Sequence, residues 1–217
     1  MRSTLFACLL MAASLGTTGC NIISALAYYT APPQIKKAEF ALAPSRLAVL
    51  VEAANPEEDN PIFVRAFHQR LAELLTEHRI AAQLVPLDEV LTLRQQHPDF
   101  ATWNLQKVGR WLNAEQVLYV RLERLQIRET PGSPILAPAV QMRLKLIGTN
   151  QPPDQARLWP GPQERDGRVV LHTRPPKELG SLQQVDDEAA KLGKDAAYLA
   201  ALPFHDVDLE QKPRWEP

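Results

Sequence analysis

The chain has 217 residues, with 24 lysines and arginines against 25 aspartates and glutamates and a formal net charge of −1. This balance gives no basic surface for a polyanion, so no nucleic-acid partner is expected. With only two cysteines, at positions 8 and 20, the sequence also excludes a disulfide framework and a cysteine-based zinc site once the first of them is removed.

The N-terminal segment has the order of a secretory signal peptide. Arg2 supplies a positive charge, and an apolar run follows at residues 5–15. This run is shorter than the roughly 20 residues that a membrane-spanning helix needs. We therefore expect residues 1–19 to be a signal peptide that is cleaved from the mature chain.

The stretch LGTTGC, residues 15–20, ends in a cysteine directly after small residues. This order resembles the lipobox of bacterial lipoproteins, although Thr17 stands where the lipobox usually has leucine. The resemblance implies that the Cys20 thiol is acylated and becomes the membrane-anchored N-terminus, with palmitate among its chains. Two alternatives stay open, namely a conventional cleavage site just before an ordinary Cys20, and a retained anchor at residues 5–15.

Composition divides the remaining chain into three parts. Residues 20–43 show no sustained hydrophobic period and contain Pro32-Pro33, so we predict a lipidated N-terminus and tether. Residues 44–203 carry all the periodic segments and are predicted to be a single α/β domain. Residues 204–217 again have no period and are predicted to be a loose C-terminal tail.

The first elements predict parallel strands joined by helices. Residues 46–52, RLAVLVE, form a continuous apolar run that is typical of a central strand buried on both faces. Asn60-Pro61 is a cap followed by proline, which predicts a helix start, and the next strand is predicted at residues 81–86. Helices are then expected at 87–96 and 105–113, before a longer strand at 116–127.

The pattern changes in the second half of the domain. Residues 140–147 alternate between apolar and polar, which predicts a half-buried antiparallel strand. The proline-containing residues 128–138 are expected to be its connection, and a further strand is predicted at 168–172. A helix at about 183–202 should then cover the sheet with an apolar stripe made of Val185, Ala189, Leu192, Ala196 and Leu199.

The expected fold is therefore α/β with α+β character, in which parallel strand–helix–strand crossovers come first and an antiparallel meander and a C-terminal covering helix follow. The order RLAVLVE, PIFVRAFHQRLAELLTEHRI, AAQLVPLDEV and VGRWLNAEQVLYVRLERLQI resembles a small α/β domain of bacterial envelope proteins. Those proteins include the curli-secretion lipoprotein and the N-terminal domain of the Tol-system propeller protein. The resemblance covers about residues 46–149 and implies an assembly or interaction role in the envelope.

No catalytic or phosphate-binding motif is present, because serines and glycines do not occur in the required spacings. The best metal-ligating candidate is His205-Asp206-Val207-Asp208, which we interpret as a solvated polar tail. The acidic groups 57–59 and 186–188 are interpreted as charges near helix starts. Trp111 lies beside an apolar helix face and is expected in the core. We therefore predict no catalytic, cofactor or metal site, and Cys20 is the one modified residue that we predict.

These observations favour a lipid-anchored envelope protein that acts as a non-enzymatic interaction or assembly module. It is expected to face the periplasm or the cell exterior, and its partners would be the membrane, another envelope protein or its own copies. The alternative is an envelope-polymer hydrolase whose carboxylates converge only in the folded chain.

Overall fold

The computed structural model describes residues 34–80 and 82–209. The chain divides into two compact units, one made of residues 1–36 and 208–217 and the other of residues 37–207. The described part of the first unit contains β1 (Ile35–Lys36) and the end of β9 (Val207–Asp208). The predicted signal peptide and Cys20 lie outside the described residues.

The second unit is built around the strand β2 (Arg46–Ala53), which pairs in parallel with both β3 (Gln83–Leu84) and β4 (Gln116–Arg128). The residues of β2 from Leu47 to Val51 are all buried because layers of helices lie on both of its faces. The prediction of a central strand that is buried on both faces is confirmed.

Helix α1 (Pro61–Glu77) begins where the sequence predicts. The Asn60 carboxamide oxygen accepts hydrogen bonds from the N–H groups of Ile62 and Phe63, each at 3.0 Å. Pro61 occupies the first turn, where it has no N–H to leave unpaired. The apolar stripe is buried as predicted and comprises Phe63, Phe67, Leu71, Leu74 and Leu75.

An antiparallel arrangement follows, in which β5 (Ile135–Gly148) pairs with β4 on one side. On its other side β5 pairs with three shorter strands, β6 (Arg157–Trp159), β7 (Arg168–Thr173) and β8 (Lys177–Glu178). The predicted change from parallel to antiparallel pairing is confirmed.

The connection between β4 and β5 is shorter than predicted. It covers residues 129–134, and Pro138, which the sequence places in the connection, lies inside β5. The β4–β5 register shifts between Gln126 and Arg128, which face Ala139 and Leu136. A bulge of this kind accepts a proline because a residue there has no regular ladder partner.

Two helical layers cover the sheet. The layer over Leu47, Val49 and Val51 consists of α1 and α4 (Gln183–Ala201), the helix predicted at the C-terminal end. Its residues Leu192 and Ala196 are fully buried in the same core cluster, and Ala189 is fully buried as well. The covering role predicted for this helix is confirmed.

The opposite layer lies over Ala48 and Leu50 and consists of α2 (Leu87–Gln96) and α3 (Leu105–Trp111). A single turn of 3₁₀ helix, Phe100–Thr102, connects these two helices. This layer covers only the first part of the sheet. Side chains of β4, β5 and β7 on the same face, among them Arg121, Val169 and Leu171, are exposed.

The packed unit is longer than the predicted domain, residues 44–203, at both ends. The N–H groups of Glu39 and Phe40 donate to the Pro203 carbonyl at 2.8 and 3.1 Å. Phe204 is 4% exposed and its ring lies 5.4 Å from that of Trp159. The start of the expected tail is therefore packed against the unit through the buried Phe204 side chain.

The predicted fold class, a mixed α/β sheet with a C-terminal covering helix, is confirmed. Within the two described ranges, none of the helices is both long enough and apolar enough to cross a bilayer.

Candidate functional site

The most buried charges of the second unit lie between α4 and the β7–β8 edge of the sheet. Glu188 accepts hydrogen bonds from Lys177 at 2.7 Å and from Lys191 at 2.9 Å, and a further one from Arg174 at 3.3 Å. Arg174 also donates to Asp195, which in addition contacts His172 Nε2 at 3.1 Å. Two carboxylates from one helix are thus bridged by one guanidinium group.

This network keeps the Glu188 carboxylate ionised. Burial alone would raise the pKa of Glu188, but the hydrogen bonds from Lys177 and Lys191 outweigh burial and lower the pKa to about 2. A carboxyl with this pKa holds no proton at neutral pH, so Glu188 cannot serve there as a general acid. The sequence interpretation of residues 186–188 as simple helix-start charges is wrong for Glu188, whose role is ion pairing inside the fold.

Within the described residues, the candidate His205-Asp206-Val207-Asp208 does not form a metal site. The His205 ring is buried and stacks on His78 with a centroid distance of 3.6 Å. Asp206 instead accepts from the Lys37 ammonium at 2.7 Å and the Ala38 N–H at 3.0 Å. No group of three or more His, Cys, Asp or Glu side chains in residues 34–80 and 82–209 could hold a metal ion. The interpretation as a solvated tail is nevertheless wrong for His205.

A cluster of aromatic side chains lies on the surface where α2, the 3₁₀ turn and α3 meet, and we call it the aromatic cluster. The His97 ring lies 4.7 Å from Trp103 and 4.8 Å from Trp111, and the two tryptophan rings are 5.6 Å apart. Phe100 packs 5.6 Å from Trp103 on the buried side. The cluster therefore runs from the core to the solvent.

Trp111 is the exposed end of the aromatic cluster, with 56% of its surface accessible. Our prediction that it lies in the core is wrong. Val108 and Leu112 occupy the buried face of the short helix α3, and Trp111, its last residue, points away from that face. Sequence spacing could have indicated this position, because Trp111 falls one residue before the apolar stripe position.

Polar contacts fix the orientation of the neighbouring Trp103. Its indole N–H donates to Asp99 at 2.8 Å, and the Lys107 ammonium lies 3.7 Å from the ring centroid. The hydrogen bond from Trp103 is the main reason why the pKa of Asp99 is lowered. Cation–π contact and hydrogen bonding together hold the ring without a covering element.

A groove of about 490 Å³ opens beside the aromatic cluster, between α3 and the exposed part of the sheet. Phe100 and Trp103 line one side, and Glu52 and Tyr119 lie on the sheet side. Burial, followed by the neighbouring charge and hydrogen bond of Glu52, raises the pKa of Tyr119 to about 12. Tyr119 therefore remains a neutral donor at every physiological pH.

The part of this sheet face around Arg121 and Arg143 is polar and open. A second groove of about 330 Å³ is lined by Arg121, Glu123, Arg143, Lys145 and neighbouring residues. Glu123 accepts from Arg143 at 2.6 Å, and this hydrogen bond is the main cause of the lowered pKa of Glu123. As at Glu188, the carboxylate is paired with a cation and does not act as a proton donor at neutral pH.

No protein-family model matches the chain, and no curated protein sequence matches it. Solved structures with a similar fold include the PelC dodecamer from Paraburkholderia phytofirmans, with 16% identity, 80% of this chain and 98% of that chain covered, and a TM-score of 0.35. Lipoprotein GNA1162 from Neisseria meningitidis matches at 11% identity, with 71% and 99% covered and a TM-score of 0.37.

TolB from Acinetobacter baumannii matches at 10% identity over 77% of this chain and 30% of its own, with a TM-score of 0.28. Solved structures with a similar fold thus include a lipoprotein and TolB, in line with the resemblance that the sequence predicts. At these identities and TM-scores, the likeness carries no conclusion about activity or partner.

Proposed function

We propose that this chain is a lipid-anchored cell-envelope protein whose α/β unit is a non-enzymatic interaction or assembly module. Acylated Cys20 holds the unit on a membrane, facing the periplasm or the cell exterior. The partner of the module is another envelope protein or a further copy of the chain. The lipobox-like order that ends at Cys20 supports the anchor.

The aromatic cluster carries the proposal of an interaction role. Trp111 is 56% exposed and continues into the rings of His97 and Trp103. Tryptophan is enriched at the centres of protein interfaces because a large rigid ring buries much area at a small cost in conformational entropy. A pre-oriented cluster beside a groove is therefore suited to holding a partner.

The charged groups support binding over acid–base catalysis. A hydrolase with two carboxylates needs one of them protonated and the other ionised at the working pH. Glu188 and Glu123 instead have lowered pKa values because each accepts hydrogen bonds from cationic side chains. Neither carboxylate is prepared for the acid role at neutral pH.

Cell fractionation tests the anchor. In a bacterial host that processes lipoproteins, the Cys20→Ala variant should leave the membrane fraction or remain as unprocessed precursor. Cys8→Ala is the matched control and should fractionate like the parent, because position 8 is removed with the signal peptide. Membrane binding that persists after washing in the Cys20→Ala variant would contradict the lipid anchor and favour a retained helix.

Native electrophoresis of detergent extracts tests the interaction surface. The parent chain should migrate as a complex larger than the isolated chain, and Trp111→Ala should reduce or abolish that complex. Leu91→Ala is a control at another exposed apolar residue, 37% accessible on α2, and should leave the complex intact. An unchanged complex in the Trp111→Ala variant would contradict the assignment of this surface.

A further inference from the structure

The two edges of the main sheet differ in length and protection. β3 closes one side with only two residues, which is too short to offer a continuous pairing surface. On the other side β7 is six residues long, and in the described chain it pairs with β5 alone. β7 is therefore an open edge strand.

The register of β7 on β5 shows which backbone groups face outward. The Arg174 N–H donates inward to the Pro138 carbonyl at 2.8 Å. Because hydrogen-bonded pairs alternate in an antiparallel ladder, His172, Val170 and Arg168 also bond to β5. The N–H and C=O groups of Val169, Leu171 and Thr173 consequently point away from the sheet.

The side chains of two of these outward-facing residues are exposed and apolar. Val169 is 46% and Leu171 is 67% accessible. Natural edge strands are usually protected from pairing by lysine, proline, a bulge or short length. Within Arg168–Thr173 there is no lysine or proline, and its register against β5 contains no shift. Apart from the charge of Arg168 at its first position, β7 lacks the features that normally prevent strand addition.

We propose that β7 is a self-association site at which a second copy of this chain adds its own β7 antiparallel. The inference names the partner for one surface of the proposed interaction module and therefore rests on that proposal. In the register we infer, Val169 of each copy faces Leu171 of the other, and Val170 lies on the two-fold axis. Each Val169–Leu171 pair exchanges two N–H···O bonds, as hydrogen-bonded antiparallel pairs do.

Pairing of apolar side chains favours this register over the one shifted by two residues. With Val169 opposite Leu171, Arg168 faces His172 of the second copy, and Arg168 is already neutralised by Glu164 and Glu39. A register shifted by two residues would instead place Arg168 opposite Arg174 and Val169 opposite Thr173. It would place the apolar Val169 side chain opposite a threonine and so separate the apolar side chains of the two copies.

The two-fold axis runs perpendicular to the sheet, because the exposed Val169 and Leu171 side chains lie on the same face in both copies. The open faces of the two copies then form one continuous surface. Such an isologous contact closes on itself and yields a dimer without further strand addition at β7.

Thiol cross-linking tests the register in the full chain on membranes. Two differently tagged variants, Val169→Cys and Leu171→Cys, are produced together and treated with a short bismaleimide reagent. The mixed pair should cross-link several-fold more than a Leu182→Cys pair, which places a thiol at a residue 77% exposed at the start of α4. The parent chain measures the background from its natural cysteines.

Sedimentation of the detergent-solubilised chain tests whether the edge strand β7 forms the dimer contact. The parent should be a dimer, and Leu171→Pro should be a monomer with unchanged circular dichroism. Proline at this outward position removes a donor from the dimer contact and none from the β5 ladder. Leu171→Lys, which keeps the backbone donor, should also weaken the dimer.

A monomeric parent, a dimeric Leu171→Pro variant, or equal cross-linking at position 182 would overturn the inference. If the dimer is absent while the native complex still depends on Trp111, the inference fails and the proposed interaction role stands. If neither a dimer nor a Trp111-dependent complex forms, the proposed function fails as well.

Discussion

At the scale of single residues, the ion pairs of Glu188 make the stability of the folded chain depend on pH. Its side chain is 4% exposed and pairs with Lys177, Lys191 and Arg174. The pKa of about 2 lies below the usual 4.5, so ionised Glu188 stabilises the folded chain above about pH 4.5. This contribution is lost progressively as the pH falls from about 4.5 to about 2.

Glu188→Gln should remove that pH-dependent stability. At pH 7 the free energy of unfolding should fall by roughly 3 kcal/mol, since a shift of one pKa unit corresponds to about 1.4 kcal/mol. Urea unfolding at pH 7 and at pH 3 measures the difference, which should shrink at the lower pH. Glu115→Gln, at an exposed residue, is the control and should change little. Equal loss at both pH values would contradict the ion-pair account.

Two single residues, Trp111 and His205, show which features of burial the sequence does and does not indicate. For Trp111 the helical spacing does indicate an exposed position, because the residue falls one position before the buried Leu112. His205 follows the last periodic segment, yet its ring is buried and stacks on that of His78, which is distant in the sequence. Contacts between distant parts of the chain leave no local period in the sequence.

At the scale of elements, periodicity predicts most of the fold correctly. The continuous apolar run of β2, the capped start of α1 and the stripe of α4 each carry a local signal with a known physical cause. The connection at residues 128–138 was predicted too long because proline normally excludes a strand. The bulge that accommodates Pro138 depends on the partner strand β4 and cannot be read locally.

The close contact of α1 with α4 depends on a glycine. A β-carbon at position 193 would lie 2.6 Å from the Phe63 carbonyl oxygen. Gly193→Ala should therefore push the helices apart and destabilise the chain by about 1 to 3 kcal/mol, the usual cost of overpacking. Gly161→Ala is the control, because nothing lies within 4 Å of its added carbon. A thermal unfolding midpoint equal to that of the parent would contradict this packing.

The α4 stripe should be part of the core and not an interface. Leu192 is fully buried with Ala196 against the sheet. Leu192→Ala should lower the free energy of unfolding by about 2 to 5 kcal/mol, because truncation leaves a cavity. Leu182→Ala, at a residue 77% exposed just before α4, should have little effect. If Leu192→Ala unfolds like the parent but loses its complex, the stripe belongs to an interface.

At the scale of the whole molecule, residues 204–207 are predicted to stabilise the unit. A chain that ends at residue 209 keeps Phe204 against Trp159, whereas a chain that ends at residue 203 loses this contact. The shorter chain should lose about 3 to 5 kcal/mol of stability, the range for removing a buried phenylalanine. Denaturant unfolding of the two truncated chains measures this difference, and equal midpoints would show that the segment is dispensable.

In our proposal the whole molecule is a tethered unit that recognises a partner through an exposed aromatic surface. The most direct test is site-specific photo-cross-linking from position 111 in membranes of the native host, with the same probe at the exposed Glu73 of α1 as control. We predict a cross-linked product from position 111 that contains an envelope protein or a second copy, and none from position 73. Absence of a product at position 111, or the same products at both positions, would contradict the proposal.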